Sequence, residues 1–561
     1  MKVIIIGGVA GGASAAARLR RLDEKAEIII LERSGYVSYA NCGLPYYIGG
    51  VMTDRDDLTV QTPESLHSRF AIDVRVGQEA LSIDRSAKTV TVKRLSDDSV
   101  YTENYDRLVL APGAKSVVPP LPGADGKKLF SLRTVEDTIK IYDYIEQCRP
   151  ASATVIGGGF IGLEMAENLK HKGLEVTVVQ RSGHVLPTLD DNMAEVLHKY
   201  MRRQGIKLRL NSAVAGFEEA GEKAITLIKG AESEASDMII LAVGVAPENS
   251  LAAEAGLATG IKGAIKTDEH MQTADENIYA VGDAVEVINF VTGEKAVISL
   301  AGPANKQGRI AADNICGIKS SYGGSQGSSI MKMFDMTVAS TGLSCKQAES
   351  AGISFDYVVL SSASHATYYP GSENMTVKVI FQKDTGRIIG AQLIGFGGVD
   401  KRIDVLATAV RAKMTAHDLT QLDLAYAPPF SSAKDPVNMA GYAIENLLSG
   451  CVAQIHWEDV AKLPDDALIL DTRTDGEYAK GHLKTAMHIP VDDLRDRLTE
   501  LPRGRTLYVY CQSGLRSYVA CRILSQNGFD CLNVSGGFGF CQYALPGGLS
   551  REGTGPCGIS K

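Results

Sequence analysis

The sequence predicts an α/β chain of roughly three to four domains, in which two dinucleotide-binding βαβ units precede a strand-rich segment and a final α/β unit. Three observations lead there. A strand, glycine loop and helix pattern occurs twice, the pattern changes to alternating strand-like runs from Ser328, and a new unit begins after Gly450. With 561 residues the chain is too long for one hydrophobic core.

The first copy runs from Val3-Ile4-Ile5-Ile6 into Gly7-Gly8-Val9-Ala10-Gly11-Gly12, and the second from Thr154-Val155-Ile156 into Gly157-Gly158-Gly159-Phe160-Ile161-Gly162. The second holds the whole G-x-G-x-x-G at Gly157, Gly159 and Gly162; the first keeps Gly7 and Gly12 but has Val9 at the middle position. Such a loop turns tightly and aims the N–H groups of a helix start at a pyrophosphate. Each copy is followed by a second strand ending in a polar residue, Glu32 or Gln180, where a ribose is met. Two dinucleotides are therefore implied. Residues 105–114 place Ala111 and Gly113 at a strand end, 239–244 end at Gly244 as their counterpart, and 278–284 set Asp283 where a carboxylate can hold sugar hydroxyls.

Two cysteines stand in activating contexts. Cys42, in Ser38-Tyr39-Ala40-Asn41-Cys42-Gly43-Leu44-Pro45, sits before a helix start whose dipole favours a thiolate. Cys511 follows the apolar run Leu507-Tyr508-Val509-Tyr510 and precedes Gly514, Arg516 and a helical stretch, an arrangement that makes an anion cradle.

Composition narrows the class. A net charge of −8 with no basic stripe argues against a nucleic-acid surface. The cluster Arg18-Leu19-Arg20-Arg21 is either a solvated helix face or a contact for a phosphorylated ligand. Lys2 and the apolar run behind it imitate a signal peptide, but the glycines and the continuation into Glu27-Ile28-Ile29-Ile30-Leu31 favour a folded βαβ unit, so a cytoplasmic chain with no membrane association is expected. Ten cysteines without a compact disulfide spacing fit a reducing compartment. Cys521, Cys531, Cys541 and Cys557 form no C-x-x-C pair, and no metal is expected. Cys531 is positioned either to resolve a persulfide or, as favoured here, to fill a buried strand.

The four motifs of residues 1 to 448, in this order, resemble the two-dinucleotide flavoprotein disulfide reductases. Leu468-Ile469-Leu470-Asp471-Thr472-Arg473, Glu477, Gly481-His482 and the Cys511 loop resemble a rhodanese domain. The whole resembles the coenzyme A-disulfide reductase–rhodanese fusion family, which includes NADH-dependent persulfide reductases. That resemblance implies a discontinuous FAD-binding domain at 1–120 and 250–327, an NAD(P)-binding domain at 121–249, an α+β dimerisation domain at 328–448 and an α/β rhodanese domain at 455–550. It implies FAD against Gly7, Gly12, Glu32, Ser38, Asn41, Ala111, Gly113 and Asp283, and NADH or NADPH against Gly157, Gly159, Gly162, Gln180 and Gly244. Gln180 replaces a glutamate and Arg181 can meet a 2′-phosphate, so the lean toward NADH is slight.

Family members with a redox disulfide carry two cysteines four residues apart, and Ser38 stands at the first position here, so Cys42 needs an external partner. Two outcomes remain: a mixed disulfide with coenzyme A, or a sulfenic acid as in NADH oxidases and peroxidases. Ala10 stands where peroxidases carry a histidine, which counts against the second. The resemblance further implies a homodimer in which Tyr368 and Tyr426 reach the partner's cysteine, and coenzyme A phosphates held by Arg18, Arg21, His67 and Arg69. Cys511 would carry a terminal sulfane as a persulfide, held by loop N–H groups and by Arg516, with four residues between the two. The expected substrates are coenzyme A persulfide, polysulfide and coenzyme A disulfide; a sulfur carrier whose flavin half only senses redox state is the non-enzymatic alternative.

Overall fold

A computed structural model describes residues 1–545 and the backbone of the short strand Ile559–Ser560. Cys557 and residues 546–550 of the expected final domain lie outside the described residues. The chain divides into two compact units, residues 1–185 with 202–327, and residues 186–201 with those from 328 onward.

The first unit holds two parallel sheets of the same plan. Its elements in chain order are β1 (Lys2–Ile6), α1 (Ala10–Leu22), β2 (Glu27–Glu32), α2 (Leu44–Ile48), α3 (Pro63–Phe70), β3 (Asp73–Val76), β4 (Arg107–Leu110), β5 (Leu129–Ser131), β6 (Ser152–Ile156), α4 (Phe160–His171), β7 (Glu175–Val179), β8 (Lys207–Arg209), β9 (Met238–Leu241), β10 (Ile278–Ala280) and α5 (Ala301–Ile315). The sheets run β10-β4-β1-β2-β3 and β8-β7-β6-β9-β5. Strands covered on both faces read as continuous apolar runs, which is why β1 and β2 are almost all isoleucine, valine and leucine. In each sheet the strand order reverses beside the first strand, opening a crevice at the carboxyl ends where the glycine loops lie.

The small-residue run of α1 has a packing cause. Helices α1 and α5 cross so closely that a Cβ at Gly308 would stand 2.3 Å from the Gly11 carbonyl oxygen. Ala15 stands in the same contact, its backbone nitrogen 3.2 Å from that Cβ position.

The second unit contains an antiparallel sheet and a parallel one. The strands β11 (Ser329–Met333), β12 (Met336–Gly342), β13 (Phe355–Ala363), β14 (Asn374–Gln382) and β15 (Ile388–Gly395) lie in the order β11-β12-β15-β14-β13. Then follow β16 (Ala453–Ile455), α6 (Trp457–Val460), β17 (Leu468–Asp471), α7 (Asp475–Ala479), β18 (Met487–His488), β19 (Leu507–Tyr510), α8 (Leu515–Gln526), β20 (Cys531–Val534) and α9 (Gly537–Ala544), whose strands lie in the order β16-β20-β19-β17-β18.

A buried polar cluster joins these two sheets to the start of the helix Asp191–Arg203. The Lys378 side chain, 1 % exposed, reaches Asp190 at 2.7 Å and Asn192 at 3.2 Å, and its ammonium lies 4.0 Å from the Tyr357 ring centre. Asn192 donates to Glu458 at 2.9 Å, and His456 stacks on Tyr357 while meeting Asp356 at 2.8 Å. Burial opposes ionisation of Asp190, but the Lys378 charge outweighs it and holds the carboxyl below its usual range.

Lys378→Met should leave the Asp190 carboxylate without its cation and destabilise this unit by about 3–5 kcal/mol, with partial recovery in Lys378→Met/Asp190→Asn. Denaturant unfolding followed at Trp457, the single tryptophan, reads the effect. Because the folded Asp190 value is depressed, its contribution is complete above the unfolded carboxylate pKa near ~4 and fades as pH falls through the lower folded value.

Candidate functional site

The two glycine loops are built alike. Gly7 and Gly157 have φ of +96° and +107°, and a Cβ on either would strike the Ala111 or Ala242 carbonyl oxygen at 2.1 or 2.3 Å. Gly12 and Gly162 press on Gly7 and Gly157, with room of only 1.9 and 2.0 Å for a Cβ. A Cβ at Gly159 would meet nothing within 4 Å, which accounts for Val9 being accommodated at that place in the first copy. Glu32 accepts from the N–H of Gly8 at 2.8 Å and of Ser34 at 2.9 Å, and Gln180 accepts from Gly158 N–H at 3.0 Å. Both residues thus brace the loop as well as standing at the strand end. Burial pushes the Glu32 carboxyl up.

Gly7, Glu32, Asn41, Ala111, Gly113 and Arg133 line one cavity of about 390 Å³. Asp283, on the turn after β10, pairs with Arg133 at 2.9 Å, and Gly282 N–H donates to the buried Gln307 at 2.7 Å. Loops that leave no room for a Cβ at Gly7, Gly12, Gly157 and Gly162, and a cavity that holds Glu32 beside the backbone of Gly7 and Ala111, suit an extended dinucleotide. Gly244, with φ of +115°, is exposed at the end of β9.

Cys42 sits in a single 3₁₀ turn, Asn41–Gly43, ahead of α2. The expected thiolate stabilisation by a helix start is not what this geometry supplies, because α2 has five residues and its dipole is correspondingly small. Cys42 is open to solvent on one side, yet the protein crowded around it, ahead of the Glu164 carboxyl, pushes its thiol up, and Arg133 pulls it down. Glu164 on α4 is itself pushed up to about 7 by burial and by Glu167. Sequence reading missed Glu164; its signal is an acid set among Leu163, Met165 and Ala166 in the helix behind the second glycine loop.

A groove of about 410 Å³ is lined by Ser14, Arg18, Arg21, Ser38, Arg69 and Arg309, with Ser38 four residues before Cys42. Arg18 is anchored by Asp313 at 2.7 Å. His67, exposed on α3, is not among the lining residues, whereas Arg309, on α5 and far along the chain, is. No local pattern announces Arg309.

In the second unit the hydroxyls of Tyr368 and Tyr426 lie 2.8 Å apart with both side chains exposed. Their hydrogen bond pushes the Tyr368 phenol up. Ala366 N–H donates to Ser431 O at 3.0 Å, and the buried Arg402 donates to Ser431 Oγ at 3.0 Å and to Asp435, fixing both loops.

Cys511 is fully buried at the end of β19. Its sulfur accepts from Gly514 N–H at 3.1 Å and from Ser517 Oγ at 3.4 Å. Arg516, expected to help hold the sulfur, makes two 2.7 Å hydrogen bonds to Glu477 and keeps the Cys511 sulfur within its field. The same bonds push the Glu477 carboxyl down to about 2. Ser517 was not singled out from sequence. Among the described residues no group of three or more His, Cys, Asp or Glu side chains is placed to hold a metal, and no helix is long and apolar enough to cross a membrane.

Residues 1–308 match the pyridine nucleotide-disulphide oxidoreductase model, 328–436 the dimerisation domain of that family, and 456–539 a rhodanese-like domain. Coenzyme A disulfide reductase of Staphylococcus haemolyticus is 36% identical over 80% of this chain and 100% of its own length. An NADH oxidase of Methanocaldococcus jannaschii is 36% identical over 78% of this chain and 98% of its own. Among solved structures, reduced CoADR-RHD of Bacillus anthracis shares 48% identity with a TM-score of 0.95, covering 97% of this chain and 98% of that one. A NAD-dependent persulfide reductase from A. fulgidus shares 39% with a TM-score of 0.91, covering 96% and 100%.

Glu164→Gln should move the midpoint of Cys42 alkylation to lower pH, since removing a nearby negative charge favours the thiolate, and Arg133→Gln should move it to higher pH. Iodoacetamide trapping across pH, with the Cys42 peptide quantified by mass, reads both.

Proposed function

Because the chain belongs to the pyridine nucleotide-disulphide oxidoreductase family and carries that family's dimerisation domain and a rhodanese-like domain, we propose that it is an NADH-dependent reductase of coenzyme A persulfide and coenzyme A disulfide that also moves sulfane sulfur through Cys511. The observation that carries this reading is a lone Cys42 four residues after Ser38, which itself lines a groove of four arginines. An anionic groove partner with a thiol end matches coenzyme A, and polysulfide is the second donor class. The relatives' printed names support the same substrate class.

FAD held by the first glycine loop and Glu32, with NADH on the second loop and Gln180, would supply the two electrons that reopen the Cys42 mixed disulfide. Cys42 thiolate attacks the inner sulfur of coenzyme A persulfide, forming Cys42–S–S–coenzyme A and expelling hydrosulfide. With coenzyme A disulfide the expelled group is coenzyme A thiolate. Arg18, Arg21, Arg69 and Arg309 would hold the phosphates. In a homodimer, Tyr426 and Tyr368 would donate a hydrogen bond to the leaving thiolate at the partner's Cys42, a role suited to paired phenols. At the other end, Gly514 N–H and Ser517 Oγ would hold the anionic terminal sulfur of a Cys511 persulfide, and Arg516 would reach it by leaving Glu477. Such an enzyme would work in the cytoplasm.

Mass spectrometry of unreduced protein should show one coenzyme A on Cys42, lost in Cys42→Ser. Cys42→Ser should bind FAD and lose persulfide and disulfide reduction, while hydrogen peroxide stays a poor acceptor of wild-type electrons. Peroxide turnover equal to persulfide turnover would overturn the reading in favour of an oxidase. Cys511→Ser should abolish sulfur transfer from thiosulfate and leave reduction of ready-made coenzyme A persulfide largely intact. Mixed Cys42→Ser and Tyr426→Phe subunits should regain activity in heterodimers.

A further inference from the structure

The rhodanese-like domain holds a second pair of cysteines that the chemistry above does not use. Cys521 lies within α8 and Cys531 opens β20, and both sit in one apolar cluster with Leu507, Val509, Leu524 and Phe529, 1 % and 9 % exposed. The Cys531 S–H donates to the Cys521 carbonyl oxygen at 3.5 Å, which sets the start of β20 against α8 at these two residues. Each thiol acts on the other, pushing Cys521 up and drawing Cys531 down.

The pair is not a relay for Cys511. Cys531 pairs with Leu507 at one end of β19, and Cys511 follows Tyr510 at the other, about 13 Å along the strand at ~3.3 Å per residue. A direct persulfide transfer to Cys531 is therefore ruled out by the register, which removes one of the two roles left open for it from sequence.

We propose that Cys521 and Cys531 form a reversible disulfide under small disulfides or polysulfides, tying α8 to β20. Cys531 thiolate attacks one sulfur of a disulfide RSSR, breaking its S–S bond and releasing RS⁻. Cys521 gives up its proton, its sulfur attacks Cys531 in the mixed disulfide, and the second RS⁻ leaves. Two protein thiols are oxidised by two electrons, and RSSR becomes two RSH with the two protons. The bond bears on Cys511 because α8 begins at Gly514, whose N–H holds the Cys511 sulfur, and because Asn533 of β20 donates to Gly514 O at 3.4 Å. The inference does not depend on the Cys42 reading.

The test uses the full chain, reduced, freed of reductant and equilibrated with mixtures of oxidised and reduced glutathione. Acid-quenched samples are alkylated, digested and mapped by mass, while thiosulfate sulfurtransfer and coenzyme A disulfide reduction are assayed in parallel. Expected is a crosslink between peptide 517–522 and the Cys531 peptide, with sulfurtransfer falling at least fivefold in step and recovering with dithiothreitol. Cys521→Ala/Cys531→Ala should keep sulfurtransfer and lose its glutathione response. Full alkylation of both thiols at every mixture, or glutathione on Cys531 alone, overturns the disulfide. A crosslink that leaves sulfurtransfer unchanged overturns its link to the cradle. Reductase activity is a separate readout, so failure of the Cys42 mechanism leaves this result interpretable.

Discussion

Backbone pressed against backbone at the glycine loops is the constraint from which the first unit follows. With 1.9 Å of room at Gly12 and 2.0 Å at Gly162, any side chain would push the helix off its strand. The helix start would then no longer face the crevice, and Glu32 or Gln180 would lose the N–H it braces. The same closeness at Gly308 seats α5 on α1 and so brings Gln307 under Gly282 and Arg309 to the groove. A few absent methyl groups thereby position residues separated by most of a domain's length.

The two candidate cysteines sit in opposite surroundings. Cys42 is accessible but surrounded by carboxyls at Glu164 and Asp283, with Arg133 as the counterweight, so its thiolate is held in check until a cation or ligand alters the balance. Cys511 is buried and its sulfur receives two hydrogen bonds. The first site is open to an arriving molecule, and the second closes around its sulfur.

Much of the architecture was legible because its determinants are local. Glycine spacing, the polar residue closing the second strand, and strand-to-cysteine-loop order all lie within short windows, and each carries a steric reason. What stayed hidden is what folding brings together from afar. Arg309 enters the arginine groove only because α5 crosses α1; Glu164 matters only because α4 stands near Cys42; and Glu477 claims Arg516 from well upstream. The helix dipole assigned to Cys42 failed for a local reason instead: Pro45 and Gly49 confine α2 to five residues.

The cluster around Lys378 bears on how separable the domains are. A chain boundary after Gly450 looks modular in sequence, with a clean change of pattern and a fresh strand at Ala453. Energetically the seam runs elsewhere. His456 and Glu458, from the first residues of the rhodanese-like part, complete a polar shell whose other members, Asp356, Tyr357, Lys378 and Asn192, belong to the sheet and helix before it. The shell around Lys378 therefore closes only when both parts are present. A chain cut after Gly450 would lose His456 and Glu458 and leave Asp356 and Asn192 without these partners.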